Sequence, residues 1–226
     1  MAKSANKYKN SVSDIYVFQN KILSWYDQHA RSLPWRAEKG APPAVAYHVW
    51  LSEIMLQQTT VSAVKPYFEK FLRLWPTVHD LANATQDEVM HAWAGLGYYS
   101  RARNLHKAAQ VIAFDHDGVF PDNEKALRAL PGVGDYTSAA ITSIAFQKEA
   151  TVIDGNIQRI FARVMAYEGI FPKDAKYFKE LVAPYFSGTG VRAGDFAQAL
   201  MDLGSGICTP RSPDCVQCPI VEQCRA

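Results

Sequence analysis

Leu130-Pro131-Gly132-Val133-Gly134-Asp135-Tyr136-Thr137-Ser138-Ala139-Ala140 joins two stretches of helical apolar spacing through a very short turn. Gly132 and Gly134 carry no Cβ, so the backbone can turn sharply here and another group can come close. The helix that follows opens with unpaired N–H groups and the positive end of its dipole, and both favour an anion. A turn of this kind can hold a nucleic-acid backbone without reading base sequence. The plainer reading is a helix–helix turn that uses glycine because its geometry demands it. This segment alone leaves both open.

Outward from this turn, apolar residues recur at helical spacing in both directions. Ile15, Phe18, Ile22, Trp25 and Tyr26 mark a first helix that begins after Ser13 or Asp14. The spacing predicts further helices over 47–58, 60–74, 86–93, 100–114, 123–130, 136–146, 156–167, 174–186 and 192–203. Asn83, Thr85 and Asp154 are residue types that start helices, while Gly118, Gly188 and Gly190 punctuate loops. The run 150–153 is compatible with a strand, but no alternating pattern is sustained and no repeat is visible. The chain therefore reads as all-α. The Pro- and Gly-rich stretch 37–46 is the candidate crossing between two lobes, and residues 1 to about 13 are expected to fray.

The 226 residues suffice for one large or two small domains with real cores. A net charge of +2 permits a polyanionic partner only if the basic residues cluster. No apolar run reaches membrane-spanning length and the first residues have no apolar signal core, so no membrane partner is expected. The expected location is cytoplasmic, in association with the nucleoid.

The four cysteines fall together in the tail as Cys208-x6-Cys215-x2-Cys218-x5-Cys224, in a run broken by Pro210, Pro213 and Pro219. Thiolates are soft ligands, and four in one short segment suit an iron–sulfur cluster or zinc. Two disulfides would also use four cysteines, though nothing here suggests export. Structural zinc usually takes two closely spaced pairs, and only Cys215 and Cys218 form one.

Glu53 stands alone in the almost wholly apolar run Val49-Trp50-Leu51-Ser52-Glu53-Ile54-Met55-Leu56. A helix apolar all round is a buried one. A carboxylate kept from water is costly to ionise and holds its proton to higher pH, which suits a general acid. The alternative places Glu53 on one wet stripe beside Ser52 and Gln57. Asp154, in Val152-Ile153-Asp154-Gly155-Asn156, has the plain reading of a helix N-cap.

Taken together, the hairpin, the Asp154 segment and the cysteine spacing resemble the helix-hairpin-helix DNA glycosylase superfamily that includes endonuclease III. Lyase-active members carry a lysine immediately before the hairpin threonine, where its amine attacks the sugar. This chain has Tyr136 there, and a phenol forms no imine. Lys148 is the nearest lysine downstream. The run Ser52-Glu53-Ile54-Met55-Leu56-Gln57-Gln58-Thr59 is similar to the adenine-DNA glycosylases, the MutY family. So are Leu33-Pro34-Trp35-Arg36 and Gly95-Leu96-Gly97-Tyr98-Tyr99-Ser100-Arg101.

The resemblance covers residues 15–224 and implies a monofunctional enzyme that removes adenine mispaired with 8-oxoguanine or guanine in double-stranded DNA. It implies Glu53 as the proton donor to adenine and Asp154 as the carboxylate that stabilises the oxocarbenium-like sugar, the two-carboxylate logic of glycoside hydrolysis. Tyr136 and Asn156 match positions lining the sugar. Gln58 and Tyr98 match residues that push into the duplex as the base is flipped out. Arg31, Trp35, Arg36, Leu56 and Gln198 match positions around the extruded adenine, although Trp35 and Leu56 would otherwise read as core. Gly132 and Gly134 belong to the hairpin that meets the backbone. Cys208, Cys215, Cys218 and Cys224 match the ligands of a 4Fe–4S cluster with a structural role, and Arg211 in its loop is placed to meet phosphate.

The implied fold is two helical lobes with DNA lying across the cleft between them. One is a six-helix barrel with the hairpin, residues 40–150. The other is an iron–sulfur lobe built from 1–39 and 151–226. The family usually continues into a Nudix-like domain that helps read 8-oxoguanine. This sequence stops two residues past Cys224, which implies weaker reading of the opposite base. A monomer is expected. Three rivals remain: an endonuclease III-like lyase, a thymine or uracil mismatch glycosylase, and a non-catalytic iron–sulfur DNA-binding module.

Overall fold

The structure is a computed structural model that describes Tyr8, residues 11–38 and residues 40–226. The described residues form helices and loops, with no strand among them. The chain packs as two units, one continuous (Ser32–Phe146) and one assembled from Met1–Arg31 and Gln147–Ala226. The continuous unit starts at Ser32 against the expected 40 and ends at Phe146 against the expected 150. Leu33 and Trp35 explain the first shift: both are buried, and Trp35 meets Phe68 edge-on at 5.3 Å, which ties this segment to the continuous unit.

The discontinuous unit begins with α1 (Val12–His29). The Ser11 hydroxyl accepts from the Asp14 N–H, and the Asp14 carboxylate accepts from the Ser11 N–H, each at 3.1 Å. This reciprocal cap starts the helix earlier than the sequence suggests, so fraying does not extend through residue 13. Of the residues expected to fray, 1–7, 9 and 10 lie outside the described ones.

The continuous unit holds α2 (Ala46–Leu56), α3 (Val61–Leu74), α4 (Val78–Asn83), α5 (Gln86–Trp93) and α6 (Ser100–Gln110). A π turn over Val111–Asp115 extends α6, and α7 (Glu124–Arg128) and α8 (Asp135–Phe146) close the unit. α2 is its centre and packs on α3, α6 and α8. α8 packs on it, and Ala139, Ala140 and Ser143 of α8 are buried and small. α4 was not foreseen, because six residues are too few to show a period. It is set by the cap that Thr77 and Asp80 exchange. Asn83 ends this helix rather than starting one, and Thr85 caps α5 by the same exchange with Glu88.

The rest of the discontinuous unit is α9 (Gly155–Val164), α10 (Ala175–Val182) and α11 (Ala193–Gly206). Phe18 of α1 stacks on Phe161 of α9 at 5.5 Å and meets Phe196 of α11 edge-on at 6.4 Å. Each of these rings is almost wholly buried and contributes roughly 1.5–3 kcal/mol. α11 also packs on α1 and α9. Among the described residues, no helix is long and apolar enough to cross a membrane.

Candidate active site

In the continuous unit, Glu53 is 6% exposed on α2, where Tyr47, Val49, Trp50, Leu51, Ser52, Ile54 and Met55 are buried too. The wet-stripe reading therefore fails: Ser52 is itself buried and turns its hydroxyl back to the Val49 carbonyl at 2.8 Å. Helix α2 carries this carboxyl into the unit's interior.

The hairpin turn joins α7 to α8. Gly132 has φ +78°, and a Cβ there would stand 2.9 Å from Asn104 Cβ, so this position requires glycine. Gly134 differs, with no positive φ and nothing within 4 Å of its would-be Cβ. Both glycines are exposed, and Tyr136 is half-buried one turn further along. Gln57, at the end of α2, reaches toward the hairpin at Gly132 O (3.5 Å) and Thr137 Oγ1 (3.4 Å).

Arg101 was not singled out from the sequence, yet it organises this side of the unit. Its Nη1 donates to the carbonyls of Ile54 (3.2 Å), Met55 (2.7 Å) and Gln57 (2.6 Å), at and just past the end of α2. Its Nη2 donates to Thr59 Oγ1 (3.0 Å) and to the carbonyls of Leu96 (3.2 Å) and Gly97 (3.4 Å). The guanidinium lies over the rings of Trp93 (5.3 Å) and Tyr98 (5.4 Å). Burial lowers its pKa, and Tyr98 opposes that shift. Gln58 and Tyr98 flank this network, both exposed and both left-handed, with φ of 57° and 48°. Of the other expected site residues in this unit, Leu56 and Arg36 are half-buried and Trp35 is core. Arg36 sits in a turn closed by its N–H on Leu33 O at 2.9 Å.

In the discontinuous unit, Asp154 is the N-cap of α9, and its Oδ1 accepts from the Ile157 N–H at 2.7 Å. The capping reading is therefore correct as far as it goes. The second oxygen, Oδ2, accepts from Asn156 Nδ2 at 3.0 Å. Arg159 Nη2 holds Asn156 Oδ1 (2.8 Å) and Gly204 O (2.7 Å), and its Nε holds Cys208 O (2.7 Å). Gly204 is what lets α11 come so close, because a Cβ there would lie 2.5 Å from Asn156 Cβ.

Arg31 does not hang free beside a ligand. It binds Asp202 of α11 through Nε (2.6 Å), Nη2 (2.5 Å) and its own N–H (3.2 Å). Gln198 is buried and donates to Gly194 O at 3.1 Å. The four cysteines carry free thiols. Burial first, then the neighbouring Cys208, Cys224 and Cys215, push the Cys218 thiol pKa up. Arg163 donates to Cys208 Sγ (3.2 Å) and to the carbonyls of Thr209 (2.8 Å) and Pro210 (3.1 Å), while Arg211 is exposed. No three His, Cys, Asp or Glu side chains among the described residues gather round one metal-ion position.

Residues 51–184 match the family model described as HhH-GPD superfamily base excision DNA repair protein. The chain is 42% identical over 228 residues to the adenine DNA glycosylase of Mus musculus, covering 96% of this chain and 43% of that protein. It thus spans less than half the length of that relative. A solved thermostable thymine-DNA glycosylase is 30% identical with a TM-score of 0.81, over 94% of this chain and 96% of that one. A trapped endonuclease III–DNA covalent intermediate shares the fold, with a TM-score of 0.75 at 19% identity over 96% of this chain and 97% of that one.

Proposed function

The chain belongs to the HhH-GPD superfamily of base excision DNA repair proteins, and on that footing we propose that it hydrolyses the N-glycosidic bond of adenine mispaired with 8-oxoguanine or guanine. The observation that carries this reading is Glu53, a carboxyl 6% exposed on a helix of buried neighbours, in a run that resembles the adenine glycosylases. Adenine leaves poorly as an anion. A proton passed from Glu53 to N7 lets the electron pair of the C1′–N9 bond return to the ring, so that adenine departs neutral. The sugar left behind is an oxocarbenium, and the carboxylate of Asp154 supplies the opposing charge. Water then adds to C1′ and gives up a proton to solvent, leaving an abasic site and an intact strand. Tyr136 offers no amine for a Schiff base, so strand cleavage is not part of the reaction.

Gln58 and Tyr98 enter the duplex as the adenine is flipped out, and the hairpin at Gly132 and Gly134 takes the phosphate backbone. In the continuous unit Trp35, Arg36 and Leu56 are the residues that meet the adenine; in the discontinuous unit Gln198 and Arg31 do so, and Asp202 holds Arg31. The four free thiols of Cys208, Cys215, Cys218 and Cys224 suit a 4Fe–4S cluster, which takes one thiolate on each iron rather than four on a point. When bound, it supplies a crosslink for the tail and no base chemistry. Arg163 already holds Cys208 and the carbonyls beyond it in place. The enzyme works as a monomer on nucleoid DNA.

The likeness to a whole thymine-DNA glycosylase at 30% identity favours a second reading, removal of thymine. One experiment separates the two: single-turnover base release from duplexes holding A:8-oxoguanine, A:G or G:T, each sample split between hot alkali and none. Adenine release with strand breaks only after alkali, abolished in Glu53→Gln and Asp154→Asn, is the expected result. Thymine release without adenine release selects the second reading. Breaks without alkali would revive a lyase, and binding with no release would leave a DNA-binding module.

A further inference from the structure

Three non-glycine residues in the continuous unit hold the left-handed backbone, Gln58, Tyr98 and Asp117, and the first two are exposed and flank Arg101. Such conformations persist only when the surroundings over-determine them. The angle φ is measured from the preceding peptide plane. For Gln58 that plane carries the Gln57 carbonyl, and for Tyr98 it carries the Gly97 carbonyl. Arg101 donates to both, at 2.6 Å and 3.4 Å. Trp93 Nε1 shares the Gly97 carbonyl at 3.0 Å, and the guanidinium in turn lies over Trp93 and Tyr98. One side chain, 8% exposed, thus sets the peptide before Gln58 and before Tyr98 and touches the ring of one of them.

We propose that Arg101 is a positioning residue that locks Gln58 and Tyr98 in a fixed mutual register, so that they enter DNA as one wedge. The proposal rests on the reading of those two side chains as the ones that enter the duplex. A planar fork with two terminal nitrogens can serve two peptides at once, whereas an ammonium is a single point and cannot reach both. Burial keeps water from competing for the same carbonyls. The strain is thereby held at these two residues, where a duplex would meet it, and none of it is spent on reordering the loops when DNA arrives.

The test uses the intact iron-loaded chain as Arg101→Lys, as Gln58→Ala/Tyr98→Ala, and as the combination. Two quantities are read: the single-turnover rate of base release at saturating enzyme, and the rise in 2-aminopurine emission when a duplex carrying that base at the mispair is bound. Arg101→Lys is expected to lose at least about tenfold in rate and most of the emission rise, with DNA affinity kept. In the wedge-less background the same change should cost under about twofold, because no wedge is left to align. An equal loss in both backgrounds, or wild-type behaviour of Arg101→Lys, overturns the proposal. If Arg101→Lys does not fold, Trp93→Phe takes its place. It removes the N–H on the Gly97 carbonyl together with part of the ring under the guanidinium, and its loss in rate must likewise vanish without Tyr98. A wild type that unstacks no probe in any duplex overturns the wedge reading itself. A wild type that does so, with an unaffected lysine variant, overturns the role of Arg101 alone.

Discussion

Asn156 donates its side-chain amide to Asp154 at 3.0 Å, so the carboxylate that caps α9 has its second oxygen aimed by a neighbour two residues on. Capping and charge can therefore be separated. Asparagine is as good an N-cap as aspartate, and Asp154→Asn, which keeps the cap but loses the bond from Asn156, should melt within about 1.5 kcal/mol of the parent. Its base-release rate should fall roughly a thousandfold, since the charge is gone and the new amide nitrogen no longer accepts from Asn156. Melting curves beside single-turnover rates check this. A large drop in stability would mean that Asp154 is chiefly structural.

The two hairpin glycines should behave differently. Gly132→Ala forces a left-handed alanine against Asn104 and should cost about 1–2 kcal/mol of stability. Gly134→Ala meets nothing within 4 Å inside the protein, so its fold should be untouched. If this face meets phosphate, Gly134→Ala should weaken duplex binding by roughly tenfold, with the rate unchanged once enzyme saturates the DNA. Fluorescence anisotropy on a labelled duplex measures the first quantity and quenched-flow the second.

Arg31 should prove to be a stability residue as much as a binding one. Its partner Asp202 is only 2% exposed in its side chain, against 39% for Arg31. Arg31→Met leaves that buried carboxylate without its guanidinium. The cost should be roughly 1–3 kcal/mol, below that of a fully buried pair because water reaches the arginine. Adding Asp202→Leu should restore part of the loss, which calorimetry of the single and double variants would show.

Burial lowers the His48 pKa below its ordinary 6.5. The folded chain then binds fewer protons here than the unfolded chain as pH falls through 6.5. Stability attached to His48 is full above that value, declines with acid, and levels off below the folded pKa, where both states are charged. His48→Gln should flatten the melting midpoint against pH from about pH 7 downward. An identical slope in parent and variant would assign the dependence to other groups.

Cys218 is half-buried, with the other three thiols near enough to shift its pKa. Cys218→Ser should lower the iron bound and open the tail beyond Cys208 to trypsin at Arg211 and Arg225. Iron content by absorbance, with mass spectrometry of the digest, reads both. A tail equally resistant without iron would assign its order to Arg163 and the backbone alone.

Much of the helical fold was legible, because buried helices write their period into the sequence. α5 falls on its expected limits, residues 86–93, and the others differ by a few residues at their ends. α4 escaped because it is held by a cap and not by a period. The candidate site was legible only as residue types. Asp202 stands in the apolar second half of α11 much as Glu53 stands in α2, but Asp195 upstream makes α11 read as ordinarily amphipathic. The bonds of Arg101 join carbonyls more than forty residues apart in the chain, and no local pattern marks a backbone acceptor. Nor does sequence reveal that Gln58 and Tyr98 turn left-handed, since both are residues that ordinarily avoid it.

The division of the chain also sets an order of assembly at the ribosome. Ser32–Phe146 is continuous, so its helices can close on one another as soon as they emerge. α1 is made first but packs on α11, among the last helices to appear, and must wait through most of synthesis with its apolar face uncovered. A nascent chain halted before α9 therefore displays a finished Glu53 unit, an orphaned first helix, and no Asp154 at all.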